Sequence, residues 1–160
     1  MTLNDMVLRK TAEWRVPAGS RQTLAVPDDG CGWAAAVTAD RSDDLGCLVW
    51  EIKLRRTAAP AAAELPAWAE RVAGRVTGLL EPLKVVEVDV LLNEALLRSD
   101  QPTQRGDAVF YYEVRLNGSG EATLRRFHAF HEERKPREQI LFSLTHEALA
   151  KVVGDVAADQ

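Results

Sequence analysis

Val109-Phe-Tyr-Tyr-Glu-Val-Arg-Leu116, Asn117-Gly-Ser-Gly-Glu121 and Ala122-Thr-Leu-Arg-Arg-Phe-His-Ala-Phe130 follow one another without a break. Two runs rich in aromatic and β-branched residues flank a glycine-containing turn, which is the composition of a β-hairpin. Placing Leu116 opposite Ala122 sets Val114 against Leu124, Tyr112 against Arg126 and Phe110 against His128 on one face. The other face then pairs Glu113 with Arg125 and Tyr111 with Phe127. This register joins opposite charges and stacks aromatic rings, contacts worth roughly 0.2–1 kcal/mol each. A slip of one residue reverses every side chain and loses both.

Working outward, Leu48 to Arg56 alternates, with Leu48, Trp50, Ile52 and Leu54 on one face and Glu51, Lys53 and Arg55 on the other. A period of two predicts a strand with one wet face, as in antiparallel sheets. Thr23–Val26, closed by Pro27-Asp28-Asp29-Gly30, and Trp33–Thr38 read as further strands, and Asp40–Gly46 as a polar loop. In residues 1–16, Thr2 is placed to cap a short helix and Trp14-Arg15-Val16 to begin a strand. The alanine- and proline-rich stretch 57–63 reads as a strand-to-helix connection.

Leu65, Trp68, Ala69, Val72, Val76, Leu79 and Leu80 recur at helical spacing, and Glu81-Pro82 is expected to stop that helix. Leu83–Val90 resumes alternation, with Val86, Val88 and Val90 together. Residues 93–107 show no clear element, and 99–107 reads as an exposed loop. After the charged run His131–Gln139, Thr145 is placed to cap a final helix, with Glu147 in its first turn and Leu144 and Leu149 as a staple. The expected fold is α+β: one domain, a largely antiparallel sheet, and two main helices packed on one face.

A chain of 160 residues with 46% apolar content supports one ordinary core, and its net charge of −4 argues against a dedicated nucleic-acid binder. No apolar run approaches the ~20 residues that span a bilayer. The acid near the amino terminus does not fit a signal peptide, so Cys31 and Cys47 read as reduced thiols and the expected location is cytoplasmic.

On the hairpin's first face Tyr112, Arg126 and His128 cluster. Arg126 offers a forked donor set and His128 a titratable one, which is the chemistry of an anion or small-ligand site. The competing reading leaves these groups partly solvated or paired with Glu87 or Asp89. His128 and His131 lie three apart on a strand and point to opposite faces. No metal-ligating, cofactor-binding or nucleophile motif accompanies them.

The function expected from these features is a non-catalytic binding module acting through a sheet face, with a homodimer or a protein partner. Four tryptophans, large amphipathic groups favoured at interfaces, support it. In element order alone the chain resembles small α+β secretion chaperones, which are acidic dimers, so the resemblance implies a chaperone- or adaptor-like role. The alternative is a small-molecule site or enzyme built on Tyr112, Arg126 and His128, lidded by 99–107.

Overall fold

The computed structural model describes residues 1–58, 65–132 and 135–157. Its centre is the hairpin of β7 (Ala108–Asn117) and β8 (Glu121–Phe130), in the register derived above from Phe110↔His128 to Leu116↔Ala122. Asn117 closes the turn by accepting the N–H groups of Ser119 and Glu121 at 3.0 and 3.1 Å. Gly120 there has φ 88°, and a Cβ on it would sit 2.7 Å from the Arg56 Cβ. Glycine is therefore required for two reasons.

Around this hairpin the described strands form one antiparallel sheet, ordered β1 (Gln22–Val26), β2 (Trp33–Ser42), β3 (Gly46–Arg56), β8, β7, β5 (Glu94–Ser99) and β4 (Leu83–Asp89). Three short strands add to it: β6 (Thr103–Arg105) beside β7, β9 (Glu138–Ile140) beside β8, and β10 (Phe142–Thr145) beside β3. One face is roofed by α1 (Leu3–Thr11), α2 (Leu65–Arg75) and α3 (His146–Ala157). The domain is α+β, as the sequence predicts, with a third helix added. Thr2 and Asp5 form a reciprocal capping box that starts α1, whose Leu3, Met6 and Val7 are buried. Trp14-Arg15-Val16 makes only a single bridge, Val16 to Ser42.

The core lies between sheet and helices. Val37, Val49, Ile52, Leu97 and Val114 rise from the sheet to meet Val7, Val72, Leu149, Val152 and Val153 from the helices. Trp68 tilts against Trp33 with 5.7 Å between centroids, and its Nε1–H donates to the Val156 carbonyl at 2.9 Å, tying α2 to α3. Thr145 caps α3 by accepting the Ala148 N–H at 3.0 Å.

Several expectations are corrected. The alternation of β3 is broken at Trp50, where the pairing steps from Thr38↔Glu51 to Ala39↔Val49. Cys47 and Val49 therefore face the core while Leu48 and Trp50 turn outward. A second bulge, at Val86, puts Val85 and Val88 inside and leaves Val86 and Val90 exposed. Asp40–Ser42 continues β2, and the loop shrinks to a turn in which Asp43 accepts the Leu45 and Gly46 N–H groups. Helix α2 ends at Arg75, and Leu80 is exposed. Beyond that end Gly78 passes so close to α3 that a Cβ would lie 3.1 Å from Val152 Cγ2.

Residues 93–107 hold β5 and β6 rather than a loop, and Ser99 is buried. Of the connection 57–63, residues 59–63 lie outside the described residues. No described helix is long and apolar enough to cross a membrane. Because Leu97 is fully buried in β5 and Leu96 points to the opposite face, Leu97→Ala is expected to lower unfolding stability by about 2–5 kcal/mol and Leu96→Ala by under ~1. Urea titration of the two variants checks this; equal losses would place β5 wrongly.

Candidate functional site

Tyr112, Arg126 and His128 do lie in line on the inner face of the hairpin, but in three different environments. Tyr112 is 1% exposed, edge-on to Phe142 with 5.4 Å between centroids. Burial pushes its phenol pKa up, against the opposing pull of Arg126 and a hydrogen bond from the Leu80 backbone. Arg126 is also buried, its guanidinium 4.2 Å from the centre of the Tyr112 ring. His128 is half-buried, stacked flat on Phe110 at 4.6 Å and tilted against Phe130 at 4.3 Å.

The Arg126 fork is already occupied. Its Nη1 and Nη2 donate to Glu81 Oε1 and Oε2 at 3.0 and 3.1 Å, a bidentate pair with both residues buried. Ser99 Oγ donates to Glu81 Oε1 at 2.9 Å and Thr103 Oγ1 to Oε2 at 2.8 Å. Ser99 Oγ in turn accepts the Tyr112 N–H at 2.8 Å. The carboxylate comes from the segment after α2, not from Glu87 or Asp89. Burial alone would raise the Glu81 pKa, but the bonds from Arg126, Thr103 and Ser99 outweigh it and hold the carboxyl below its ordinary range. Ser99 and Thr103, from the stretch 99–107, are thus two of the donors in this network.

The outer, helix-free face of the sheet has a different character. Its middle is a carboxylate, Glu113, only 3% exposed, contacted by Arg98 at 3.2 Å, Arg137 at 3.1 Å and Arg115 at 3.8 Å. Beside it Glu51 receives Arg125 at 2.6 Å and Lys53 at 3.5 Å. Arg125, although opposite Glu113 in register, thus finds its partner on β3, the neighbouring strand on its other side. Five cations share two carboxylates, leaving this patch positive on a chain whose net charge is −4.

Aromatic rings are interleaved with these charges. Tyr111 stacks on Phe127 at 5.9 Å, and the Arg137 guanidinium lies 3.8 Å over Phe127. Arg21 covers Trp50 at 4.0 Å, and Gln139 Nε2 donates to the Trp50 carbonyl at 2.9 Å. Such stacking desolvates one side of each guanidinium, while N–H groups of Arg21 bond Asp40 and those of Arg137 bond Glu113 and Tyr111. Burial pushes the Glu113 pKa up, and Arg137, Arg115 and Arg98 together more than reverse that. The pairing of Tyr111 with Phe127 is legible in the sequence; the convergence of Arg98 and Arg137 on Glu113 is not, because β5 and the segment before β9 carry no sequence signal that places them beside the hairpin.

Cys31 and Cys47 are free thiols, Cys31 half-buried and Cys47 buried with its Sγ directed at Ser42 Oγ at 3.4 Å. No protein-family model, no curated protein and no solved structure matches this chain.

Glu81 and Glu113 both have folded pKa values below those of the unfolded chain. Their stabilisation is therefore complete above the ordinary carboxylate pKa of about 4.3 and is lost as pH falls through the lower folded values. Unfolding free energy measured by urea titration is expected to decline below that range, and Glu81→Gln to make the decline shallower. An unchanged acid slope in Glu81→Gln would contradict the network.

Proposed function

We propose that this protein is a non-catalytic binding module, and that the helix-free face of its sheet docks an acidic segment of a protein partner. The observation that carries this reading is the excess of cations at the centre of that face: Arg98, Arg115 and Arg137 on the single carboxylate of Glu113, with Lys53 and Arg125 on Glu51. Arg115 and Lys53 remain more than half exposed, so both can turn toward an incoming carboxylate. Tyr111 and Trp50, both half-buried, supply the amphipathic surface that interfaces favour between such charges. A dedicated nucleic-acid binder is normally basic overall, whereas this chain carries a net charge of −4, which favours a protein partner.

The alternative, a small-molecule site or enzyme around Tyr112, Arg126 and His128, requires a ligand to displace Glu81 from Arg126. Removing one partner of a buried pair costs about 3–5 kcal/mol. A small ligand must recover that before it gains any affinity. We therefore favour the outer face.

Trp50 gives the test a built-in reporter. Titration with a peptide of alternating glutamate and leucine is expected to change its fluorescence, and added salt to weaken binding. The double variant Lys53→Glu with Arg115→Glu is expected to weaken binding about tenfold or more, ~1.4 kcal/mol. Binding unchanged in that variant, or preferred binding of an RNA of equal charge, would reject the proposal.

A further inference from the structure

The turn between β4 and β5 carries Val90, Leu91 and Leu92, which are 81%, 97% and 67% exposed. Turns are ordinarily built from glycine, asparagine, aspartate or serine, and three bare aliphatic side chains in succession contribute nothing to the core. Val86, raised outward by the β4 bulge, adds to the same strand. The tip is held in one shape. Asp89 Oδ1 accepts the Leu92 N–H at 3.1 Å, Asn93 adopts φ 56°, and the Gly118 N–H donates to the Asn93 carbonyl at 2.9 Å. A Cβ on Gly118 would lie 1.7 Å from Asn93 Nδ2, so the glycine makes the seat for that side chain. A surface already ordered loses little freedom on docking.

The rim of the tip is acidic. Asp89 and Glu94 stand directly opposite each other across the hairpin, and Glu87 lies on the same outer side. Like charges in that position repel, and none of the three forms an ion pair among the described residues. This apolar knob ringed by three carboxylates has the opposite polarity to the centre of the outer face, where aromatic rings sit among the cations around Glu113 and Glu51.

We infer that the acid-rimmed tip of one molecule docks on the outer sheet face of a second copy. Leu91 and Leu92 meet the rings of that face, while Glu87, Asp89 and Glu94 meet Arg115 and Lys53. The inference rests on the reading of the outer face as a binding surface and names its occupant. Two different patches meet in such a contact, so it can propagate from molecule to molecule or close reciprocally between two.

Sedimentation of complementary variants tests it. The wild type is expected to rise in weight-average mass beyond a monomer as concentration increases, and less so at high salt. Leu91→Asp, a change at a nearly fully exposed position, is expected to stay monomeric, as is Lys53→Glu with Arg115→Glu. Mixed together, these two variants retain one good tip and one good face and are expected to form a one-to-one complex and nothing larger.

A wild type that stays monomeric yet binds the glutamate–leucine peptide overturns this inference and leaves the outer-face reading standing. Loss of peptide binding as well removes both. Variants that remain monomeric after mixing, or Leu91→Asp associating like wild type, also overturn it. So does a monomer that floats with phosphatidylcholine vesicles through Leu91, which would assign the tip to a lipid surface.

Discussion

The bidentate pair between Glu81 and Arg126 is the constraint on which the arrangement of both sheet faces depends. A guanidinium turned into the apolar side of a sheet is tolerable only if a carboxylate meets it there with further hydrogen bonds. Glu81 meets it, and Ser99 and Thr103 complete the oxygens. To deliver that carboxylate, the chain leaves α2 at Arg75 and bends past α3, with Gly78 against Val152, before entering β4. The pair thus fixes the end of a helix, the approach to the edge strand β4 and the position of β6. It also satisfies the inner face internally, beneath the helices.

The same division governs the electrostatics. On the inner side one cation and one anion are matched, with hydroxyl groups closing the remaining valences. At the centre of the outer side the carboxylates Glu51 and Glu113 organise an excess of arginine and lysine without neutralising it. Glu113 holds Arg137 against Phe127, and Asp40 holds Arg21 against Trp50, so charge and aromatic stacking order the same layer. A face built to be merely soluble needs no such stacking. The acidic, aliphatic β4–β5 turn supplies the opposite polarity within the same chain.

Local signals made part of this legible. The register of β7 and β8 follows from charge and aromatic pairing within twenty-two residues, and it is recovered pair for pair in the backbone. The cap at Thr145 is equally local. What escaped the sequence was non-local or propensity-poor. Glu94-Ala-Leu-Leu-Arg-Ser99 has no β-branched or aromatic residue, so its strand character comes from lying between β4 and β7. The bulge at Trp50 keeps the hydrophobic alternation of β3 intact on paper while reversing which residues face the core. Tyr112, Arg126 and His128 were found together, but the partner that redefines Arg126 lies 45 residues upstream, beyond any spacing rule.

A double-mutant cycle on Glu81→Gln and Arg126→Met, read by urea unfolding at neutral pH, measures the central interaction directly. Each single change strands one buried group, while the double change removes the conflict. The expected coupling is about 2–3 kcal/mol, with the double variant less damaged than the sum of the two. Additive losses, with coupling near zero, would show that Glu81 and Arg126 do not hold each other beneath the helices.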